Sequence, residues 1–161
     1  MSAYFFDTCA LKHRYVRTRI SSRISRIVSN RRYEIYISEL TIVELASAFA
    51  YHCITQGTGH EEQEYDRMYR KFFRDVANKR IIVRDITKRD LENARHLLRF
   101  ARVVQRRHLG SADAIVAETC RDLSYELGKR VVFYSCDQRL HTTLSATGAY
   151  QAAVKLRYMQ P

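Results

Sequence analysis

The sequence predicts an α/β fold in which a parallel sheet of about four to five strands carries helices on both faces, giving three layers. Three observations support this. Short apolar runs alternate with longer segments of helical periodicity, only five Gly and one Pro interrupt the 161 residues, and acidic residues follow the ends of apolar runs. Strands that alternate with helices pair in parallel through right-handed crossovers. A chain of this length buries one core, so residues 1–161 are expected to form a single domain.

The first half of the chain is predicted to begin with a strand, because an apolar run occupies residues 3–7. Two helices follow, and the alternation of Tyr33 to Ser38 indicates the second strand. Apolar residues then recur at helical spacing until Gly57 and Gly59 end the helix, and a further amphipathic helix comes after them. After the first strand, the predicted helices of this half are 8–16, 20–28, 42–56 and 65–76, and the predicted second strand is 33–38.

The second half repeats this alternation. A short strand is predicted at 81–83, and Thr87 is placed to cap a long helix that runs to about His108. Gly110 and Ser111 open the next helix, and Gly128 stops it before the most hydrophobic strand. Gly148 is expected to end the helix that follows that strand. The remaining predicted helices are 111–127 and 138–146, and the remaining predicted strands are 131–135 and a terminal strand at 152–156.

The charge of the chain favours a polyanionic partner. Twenty-eight Lys and Arg stand against seventeen Asp and Glu, a formal net charge of +11, and no acidic residue occurs from Thr8 through Tyr33. A second basic stripe is predicted on the long helix, where four arginines share one face. Each stripe alone is equally well explained as a solvated helix face, but together they suit a nucleic acid backbone. The arginines of the second stripe are Arg95, Arg99, Arg102 and Arg106.

Several classes of protein do not fit this composition. No stretch approaches the 18 apolar residues of a membrane span, and the N-terminus lacks the pattern of a secretory signal, so a cytoplasmic protein without a membrane partner is expected. The four cysteines have neither close pairing nor zinc-like spacing, which indicates reduced thiols. Cys9, near the acidic edge, finds no partner for thiol catalysis and is interpreted as a packing residue.

Four carboxylates from distant parts of the chain are placed to meet at one edge of the sheet. Asp7 follows the first strand, Asp137 follows Val131 to Ser135, and Glu44 and Asp113 lie in early turns of helices. Chemistry in parallel α/β sheets collects outside the carboxyl ends of the strands. Each acid also has an ordinary explanation as a helix cap, a first-turn acid or a solvated glutamate.

The electrostatics of such a quartet indicate a bound cation. Carboxylates about 5 Å apart repel by roughly 3 kcal/mol per pair at an effective dielectric constant of about 20. A hard divalent ion with oxygen ligands relieves this repulsion. An acidic metal site in a strongly basic protein predicts hydrolysis of a phosphodiester by water, with Asp7 or Glu44 as the proton acceptor.

Four short blocks carry a resemblance to a known family. They read Tyr-Phe-Phe-Asp7-Thr8-Cys-Ala-Leu-Lys, Ser38-Glu-Leu-Thr41-Ile-Val-Glu44-Leu-Ala, Ser111-Ala-Asp113-Ala-Ile and Ser135-Cys-Asp137-Gln-Arg-Leu. In this order and spacing the chain resembles the PIN-domain ribonucleases, particularly the VapC-like toxins of toxin–antitoxin pairs. The resemblance covers nearly the whole chain, although the segment 58–79 matches no motif of the family.

The resemblance implies a function and a site. Asp7, Glu44, Asp113 and Asp137 would form the catalytic set and hold Mg²⁺ or Mn²⁺, with Asp137 as the acid whose metal contact varies most within the family. Thr8 and Ser135 would orient carboxylates or a metal-bound water. The chain would cleave RNA, form a homodimer and be inhibited by a small antitoxin protein that places an Arg among the acids. The predicted RNA contacts are Lys12, Arg14 and Arg139.

A second class of function fits part of the same evidence. A non-catalytic, basic nucleic-acid-binding protein with a degenerate acidic site would bind without metal and without cleavage. Phosphatase-type hydrolases place a second Asp two residues after the first, where this chain has Cys9. A histidine-based nuclease is not indicated, because the six histidines share no motif.

Overall fold

One sheet of five parallel strands forms the centre of the computed structural model, which describes residues 2–57 and 59–160. Its strands lie in the order β3-β2-β1-β4-β5, so the predicted parallel α/β fold is confirmed. The predicted bounds of the second and fourth strands agree with the observed ones. The strands are β1 (Ser2–Phe6), β2 (Tyr33–Ser38), β3 (Ile82–Arg84), β4 (Val131–Ser135) and β5 (Val154–Tyr158).

Helices cover both faces of this sheet. The described helices are α1 (Thr8–Leu11), α2 (Ser21–Ser29), α3 (Leu40–Gln56), α4 (Glu61–Ala77), α5 (Lys88–Arg99), α6 (Ser111–Glu126), α7 (Gln138–Ser145) and α8 (Gly148–Ala153). Lys12–Arg14 forms a 3₁₀ turn after α1, and Phe100–Val104 forms a π-helical turn after α5. None of these helices combines the length and apolar composition that a lipid bilayer crossing requires.

The alternation of side chains along β1 divides the core in two. Phe5 belongs to a cluster with residues of α5, α6 and α8, whereas Phe6 belongs to a cluster with residues of α2, α3 and α4. Successive strand residues point to opposite faces, so one strand contributes to both cores. This arrangement gives the three layers that the sequence predicted.

The topology creates a crevice beside β1. The chain runs from β1 outward to β2 and β3, then crosses to β4 on the other side of β1. In sheets of this kind, ligands bind where the strand order reverses, outside the carboxyl ends of the strands. Asp7 follows β1 and Asp137 follows β4, so both lie at that point.

The long predicted helix is shorter than the periodicity indicated. After Arg99 the backbone widens into the π turn, in which Gln105 N–H donates to Phe100 C=O at 3.0 Å. The extra residue per turn changes the helix register. Arg102 consequently reaches Leu109 C=O at 3.1 Å, and Arg106 leaves the helix with φ 53°. The predicted four-arginine face is therefore wrong beyond Arg99.

Several other observed boundaries also differ from the predicted ones. The helix expected to reach Val16 ends at Leu11, where the 3₁₀ turn begins. Gly148 starts α8 instead of ending a helix, and the terminal strand runs over 154–158 instead of 152–156. Glycine permits either end of a helix, so its position alone does not distinguish a start from a stop.

The segment without a family motif has a packing role. Thr58 lies outside the described residues, and α4 packs against α3 with Met68 and Phe72 fully buried. Asp75 of α4 accepts hydrogen bonds from Arg14 and from the hydroxyl of Tyr15. The segment thus attaches the turn that follows α1 to the body of the protein.

Candidate active site

The four predicted carboxylates line one cavity at the carboxyl ends of β1 and β4. This acidic cavity has a volume of about 220 Å³, and Asp7, Glu44, Asp113 and Asp137 all contribute to its wall. The convergence expected from the sequence is therefore observed, whereas the chemical roles of these residues stay predictions. Its other lining residues are Thr8, Cys9, Lys12, Ala48 and Val116.

Asp7 is the most buried acid of the cavity, with 7% of its surface exposed. Its Oδ1 accepts from the backbone N–H of Ala10 at 2.8 Å, which caps α1. The thiol of Cys9 donates to both carboxylate oxygens at 3.0 Å. Burial raises the pKa of Asp7 well above its usual value, since the charged form loses solvation, and the negative potential of Cys9 adds to this effect.

Glu44 reaches the cavity from α3 and is held by a residue 36 positions away. The hydroxyl of Thr8 donates a hydrogen bond to Glu44 Oε2. Burial raises the pKa of Glu44, the bond from Thr8 lowers it, and the nearby charge of Asp113 raises it again. This bond places Thr8 to orient a carboxylate of the cavity, and its role in a metal site stays a prediction.

Asp113 lies in the first turn of α6, and its carboxylate lies unusually close to the backbone of Gly110. A Cβ added at Gly110 would lie 2.6 Å from Asp113 Oδ2, so a side chain at Gly110 would occupy the position of this carboxylate. Burial raises the pKa of Asp113, and the charge of Asp137 raises it further. The Gly110 backbone N–H and the ring of His108 lower it.

Asp137 serves as the N-cap of α7. Its Oδ1 accepts from the N–H groups of Arg139 at 2.7 Å and Leu140 at 3.0 Å, so the ordinary capping explanation holds for this oxygen. Ser135 Oγ accepts from the Asp137 N–H at 2.9 Å and also lowers the pKa of Asp7 by hydrogen bonding. Ser135 thus links the two acids that follow β1 and β4.

Sequence reasoning missed two residues of this cavity. Cys9 is not simply a packing residue, because its sulfur contacts Asp7 and accepts from the Cys136 N–H at 2.9 Å. The sequence indicates Gly110 only as the start of a helix. The signals were available: Cys9 lies two positions after an N-cap carboxylate, within its reach, and Gly110 lies three positions before Asp113.

The donor set of the cavity suits a hard divalent cation. Four carboxylates meet there, and burial is the main cause that raises the pKa values of Asp7, Glu44 and Asp113, so their ionised forms are poorly solvated and a cation would stabilise them. Within residues 2–57 and 59–160, however, no three His, Cys, Asp or Glu side chains are already arranged to hold a metal ion. Several of the carboxylate oxygens accept hydrogen bonds from Cys9, Thr8 or backbone N–H groups.

A basic groove continues from the acidic cavity across the start of α7. Two cavities form this groove. One, of about 540 Å³, shares Lys12 and Asp137 with the acidic cavity. The other, of about 400 Å³, shares Arg139 with the 540 Å³ cavity. Arg107 and His108 line the far end of this basic groove. Two of the three predicted RNA contacts, Lys12 and Arg139, therefore lie beside the acids.

Arg14, the third predicted RNA contact, has another environment. Its guanidinium donates to Asp75 at 3.1 and 3.2 Å and to Ser29 Oγ at 3.2 Å, and only 13% of the side chain is exposed. A guanidinium that already makes a two-point bond to a carboxylate is not free for phosphate. Arg14 is accordingly excluded from the predicted RNA contacts.

A larger cavity lies away from these residues and does not identify the site. It measures about 620 Å³ and is found near the start of β2, where its lining includes Arg31, Lys79 and Arg80 but no carboxylate. Size alone is a weaker guide than chemistry here, because the four predicted acids, three of them with a raised pKa, line the smaller cavity.

Known structures share this fold. VapBC2 of Rickettsia felis, bound to a DNA fragment from its promoter, aligns with a TM-score of 0.60 at 13% identity over 97% of this chain and 98% of the other. VapC20 of Mycobacterium tuberculosis, a toxin that cleaves the sarcin-ricin loop, aligns with a TM-score of 0.59 at 15% identity over 91% of this chain and 95% of the other. VapBC-1 of nontypeable Haemophilus influenzae aligns with a TM-score of 0.57 at 15% identity over 97% of both chains.

Sequence comparison assigns the family. Among curated proteins, no sequence matches this chain significantly. The family profile described as PIN domain matches residues 4–143, a range that contains all four acids of the cavity. This chain therefore belongs to the PIN domain family.

Proposed function

We propose that this protein is a divalent-metal-dependent endoribonuclease and the toxin of a toxin–antitoxin pair. The observation that carries the proposal is the meeting of four carboxylates, from four separate parts of a PIN-family chain, in one cavity beside a basic groove. The proposal treats residues 1–161 as one nuclease domain, which the sheet formed between Ser2 and Tyr158 supports. The cytoplasmic location expected from the sequence stays a prediction.

The residues of the cavity have distinct proposed tasks. Asp7, Glu44 and Asp113 would hold Mg²⁺ or Mn²⁺, with Asp137 beside them. When bound, such an ion supplies positive charge to the scissile phosphate and lowers the pKa of a bound water. Asp7 or Glu44 would accept the proton of the attacking water. Thr8 keeps the Glu44 carboxylate in place during this transfer.

Incubation of the purified protein with total RNA tests the proposal. We expect RNA fragments in the presence of Mn²⁺ or Mg²⁺, none in chelator, and none with Asp7→Asn, which keeps the shape of the side chain but removes its charge. Cutting in chelator, or equal cutting by the variant, would contradict the proposed mechanism. RNA binding without cleavage under either metal would favour the alternative, a non-catalytic nucleic-acid-binding protein.

The basic groove is the proposed path of the RNA backbone. In the Asp7→Asn background, Lys12→Ala combined with Arg139→Ala is expected to flatten the slope of log affinity against log salt by about 1.4, since each lost single-strand phosphate contact removes about 0.7. Fluorescence anisotropy with a labelled RNA at several salt concentrations measures this slope. Arg23→Ala with Arg26→Ala is the matched control, because both arginines are exposed on α2, outside the groove linings, and carry the same total charge.

A homodimer is proposed through the outer face of α3. Val43, Tyr51 and Ile54 are 68%, 72% and 74% exposed and lie within one narrow arc of the helix. Two bodies of charge +11 repel each other, so an interface between copies needs an apolar surface, and this arc supplies one.

Light scattering during size-exclusion chromatography tests this interface. The wild-type protein is expected at twice the chain mass, and Tyr51→Glu at the mass of one chain, since a buried unpaired charge strongly disfavours association. Tyr125→Glu is the control, because Tyr125 is also exposed, at 56%, but lies on α6. A dimer that survives Tyr51→Glu and dissociates with Tyr125→Glu would place the interface elsewhere.

The proposed antitoxin partner follows from the complexes that share the fold. Several of them pair a VapC- or FitB-type chain with a second protein. The acidic cavity of this chain would accept the guanidinium of such a partner, which pairs well with carboxylates. Co-purification of a small protein that suppresses RNA cleavage would support this part of the proposal.

A further inference from the structure

Cys9 and Cys136 are spatial neighbours at the edge of the acidic cavity. Cys9 Sγ accepts from the Cys136 N–H at 2.9 Å, although the two residues are 127 positions apart. With ordinary bond lengths, this contact places the two Cα atoms within about 7 Å of each other, close to the range that a disulfide spans. Both residues are partly exposed and line the basic groove, so a small solute reaches them.

The other two cysteines do not compete for this pairing. Cys53 is 3% exposed in the core on one face of the sheet, and Cys120 is fully buried in the core on the other face. All four residues are free cysteines in the structure, which is therefore the reduced form of the chain. Any intramolecular disulfide at the groove thus has a single pair of candidates.

We propose that Cys9 and Cys136 form a reversible disulfide in response to peroxide and that this modification inactivates the acidic cavity. The Cys9 S–H is engaged with Asp7, so Cys136 is the sulfur that reacts first. Cys136 sulfur attacks one oxygen of hydrogen peroxide, the O–O bond breaks, and a sulfenic acid and one water form. Cys9 sulfur then attacks Cys136 sulfur, the S–O bond breaks, and the leaving hydroxide takes the Cys9 proton as a second water. Two thiols are oxidised to one disulfide, and one peroxide is reduced to two waters.

The disulfide would act on Asp7 directly. In the reduced form the Cys9 thiol donates to both oxygens of Asp7 and lies 3.5 Å from Ser135 Oγ. A disulfide sulfur has no proton to donate, so Asp7 loses both contacts, and the bond ties α1 to the residue before Asp137. The effect on cleavage rests on the proposed nuclease function, whereas the formation of the bond does not.

Mass spectrometry tests the bond itself. The reduced protein is treated with a small excess of hydrogen peroxide and alkylated under denaturing conditions. We expect two alkylated cysteines instead of four, and a cross-link between the tryptic peptide that ends at Lys12 and the peptide Val131 to Arg139. Treatment of the oxidised protein with dithiothreitol before alkylation should restore four alkylated cysteines. Cys9→Ser and Cys136→Ser should each abolish the link, and Cys53→Ser should keep it. A different pairing, a link between two chains, or sulfinic acid without a link overturns the proposal.

RNA cleavage tests the consequence. Each protein is compared with its own reduced form, so any direct effect of a substitution cancels. Wild type and Cys53→Ser should lose at least about 10-fold in rate on oxidation and recover with dithiothreitol, a loss typical of a disturbed hydrogen-bond partner of a metal ligand. Cys136→Ser should lose less than 2-fold under brief peroxide exposure. An oxidised, cross-linked protein that cleaves at the reduced rate refutes the switch. If the reduced protein cleaves no RNA, the nuclease proposal fails while the mass measurement still decides the bond.

Discussion

Asp113→Asn is expected to abolish the thermal stabilisation by manganese and to lower RNA cleavage at least about 100-fold, because the acidic cavity loses a charged oxygen donor. Manganese at about 100 times its dissociation constant stabilises a protein by about 2.7 kcal/mol, which corresponds to a rise of roughly 5–10 °C in Tm for a chain of this size. Differential scanning fluorimetry with and without manganese measures this rise.

The same variant should be more stable than wild type in chelator. Burial and the charge of Asp137 raise the pKa of Asp113, so its ionised form destabilises the metal-free protein at neutral pH, and this penalty fades as pH falls through the folded pKa. An Asn avoids the penalty. A manganese-induced rise that is equal in wild type and Asp113→Asn would show that the ion binds elsewhere.

Gly110→Ala offers a second way to disturb the same carboxylate. The added Cβ would lie 2.6 Å from Asp113 Oδ2, and the backbone at Gly110, with φ −69°, accepts alanine without strain. The carboxylate must therefore move while the fold is kept, so the response to manganese should shrink with little change in stability in chelator. Gly148→Ala is the matched control, since nothing lies within 4 Å of a Cβ added there.

Asp75→Ala is expected to lower the free energy of unfolding by about 3–5 kcal/mol, the cost of leaving a buried charge without its partner. Asp75 accepts from Arg14 at 3.1 and 3.2 Å and from the Tyr15 hydroxyl at 3.1 Å, and both side chains of the ion pair are largely buried. Urea denaturation in chelator measures the loss.

An exposed ion pair on the same helix provides the comparison. Glu64 accepts from Arg67 at 3.1 Å, and 64% of the Arg67 side chain is exposed, so Glu64→Ala should cost less than about 1 kcal/mol. Equal effects of the two substitutions would show that the Arg14–Asp75 pair is not an anchor. Because Lys12 shares the 3₁₀ turn with Arg14, Asp75→Ala should also weaken RNA binding.

The predictions from sequence succeeded where local pattern was sufficient. Tyr33–Ser38 and Val131–Ser135 were located to the residue, because apolar runs between turn signals reflect strand burial directly. The helix after Thr87 was predicted too long, because the π turn at Phe100 depends on hydrogen-bond register and not on composition. The basic face that depended on that register was lost with it.

The amino-acid sequence by itself determined the fold class, the excess of positive charge and the four acids at strand ends and helix starts. Only the tertiary structure decided which partners those groups have: Asp75 occupies Arg14, Thr8 holds Glu44, and Cys9 meets Cys136. These contacts join residues 61, 36 and 127 positions apart. The physical reason is that charge and periodicity are local properties of a chain, whereas desolvation and hydrogen bonding depend on which distant segments the folded sheet brings together.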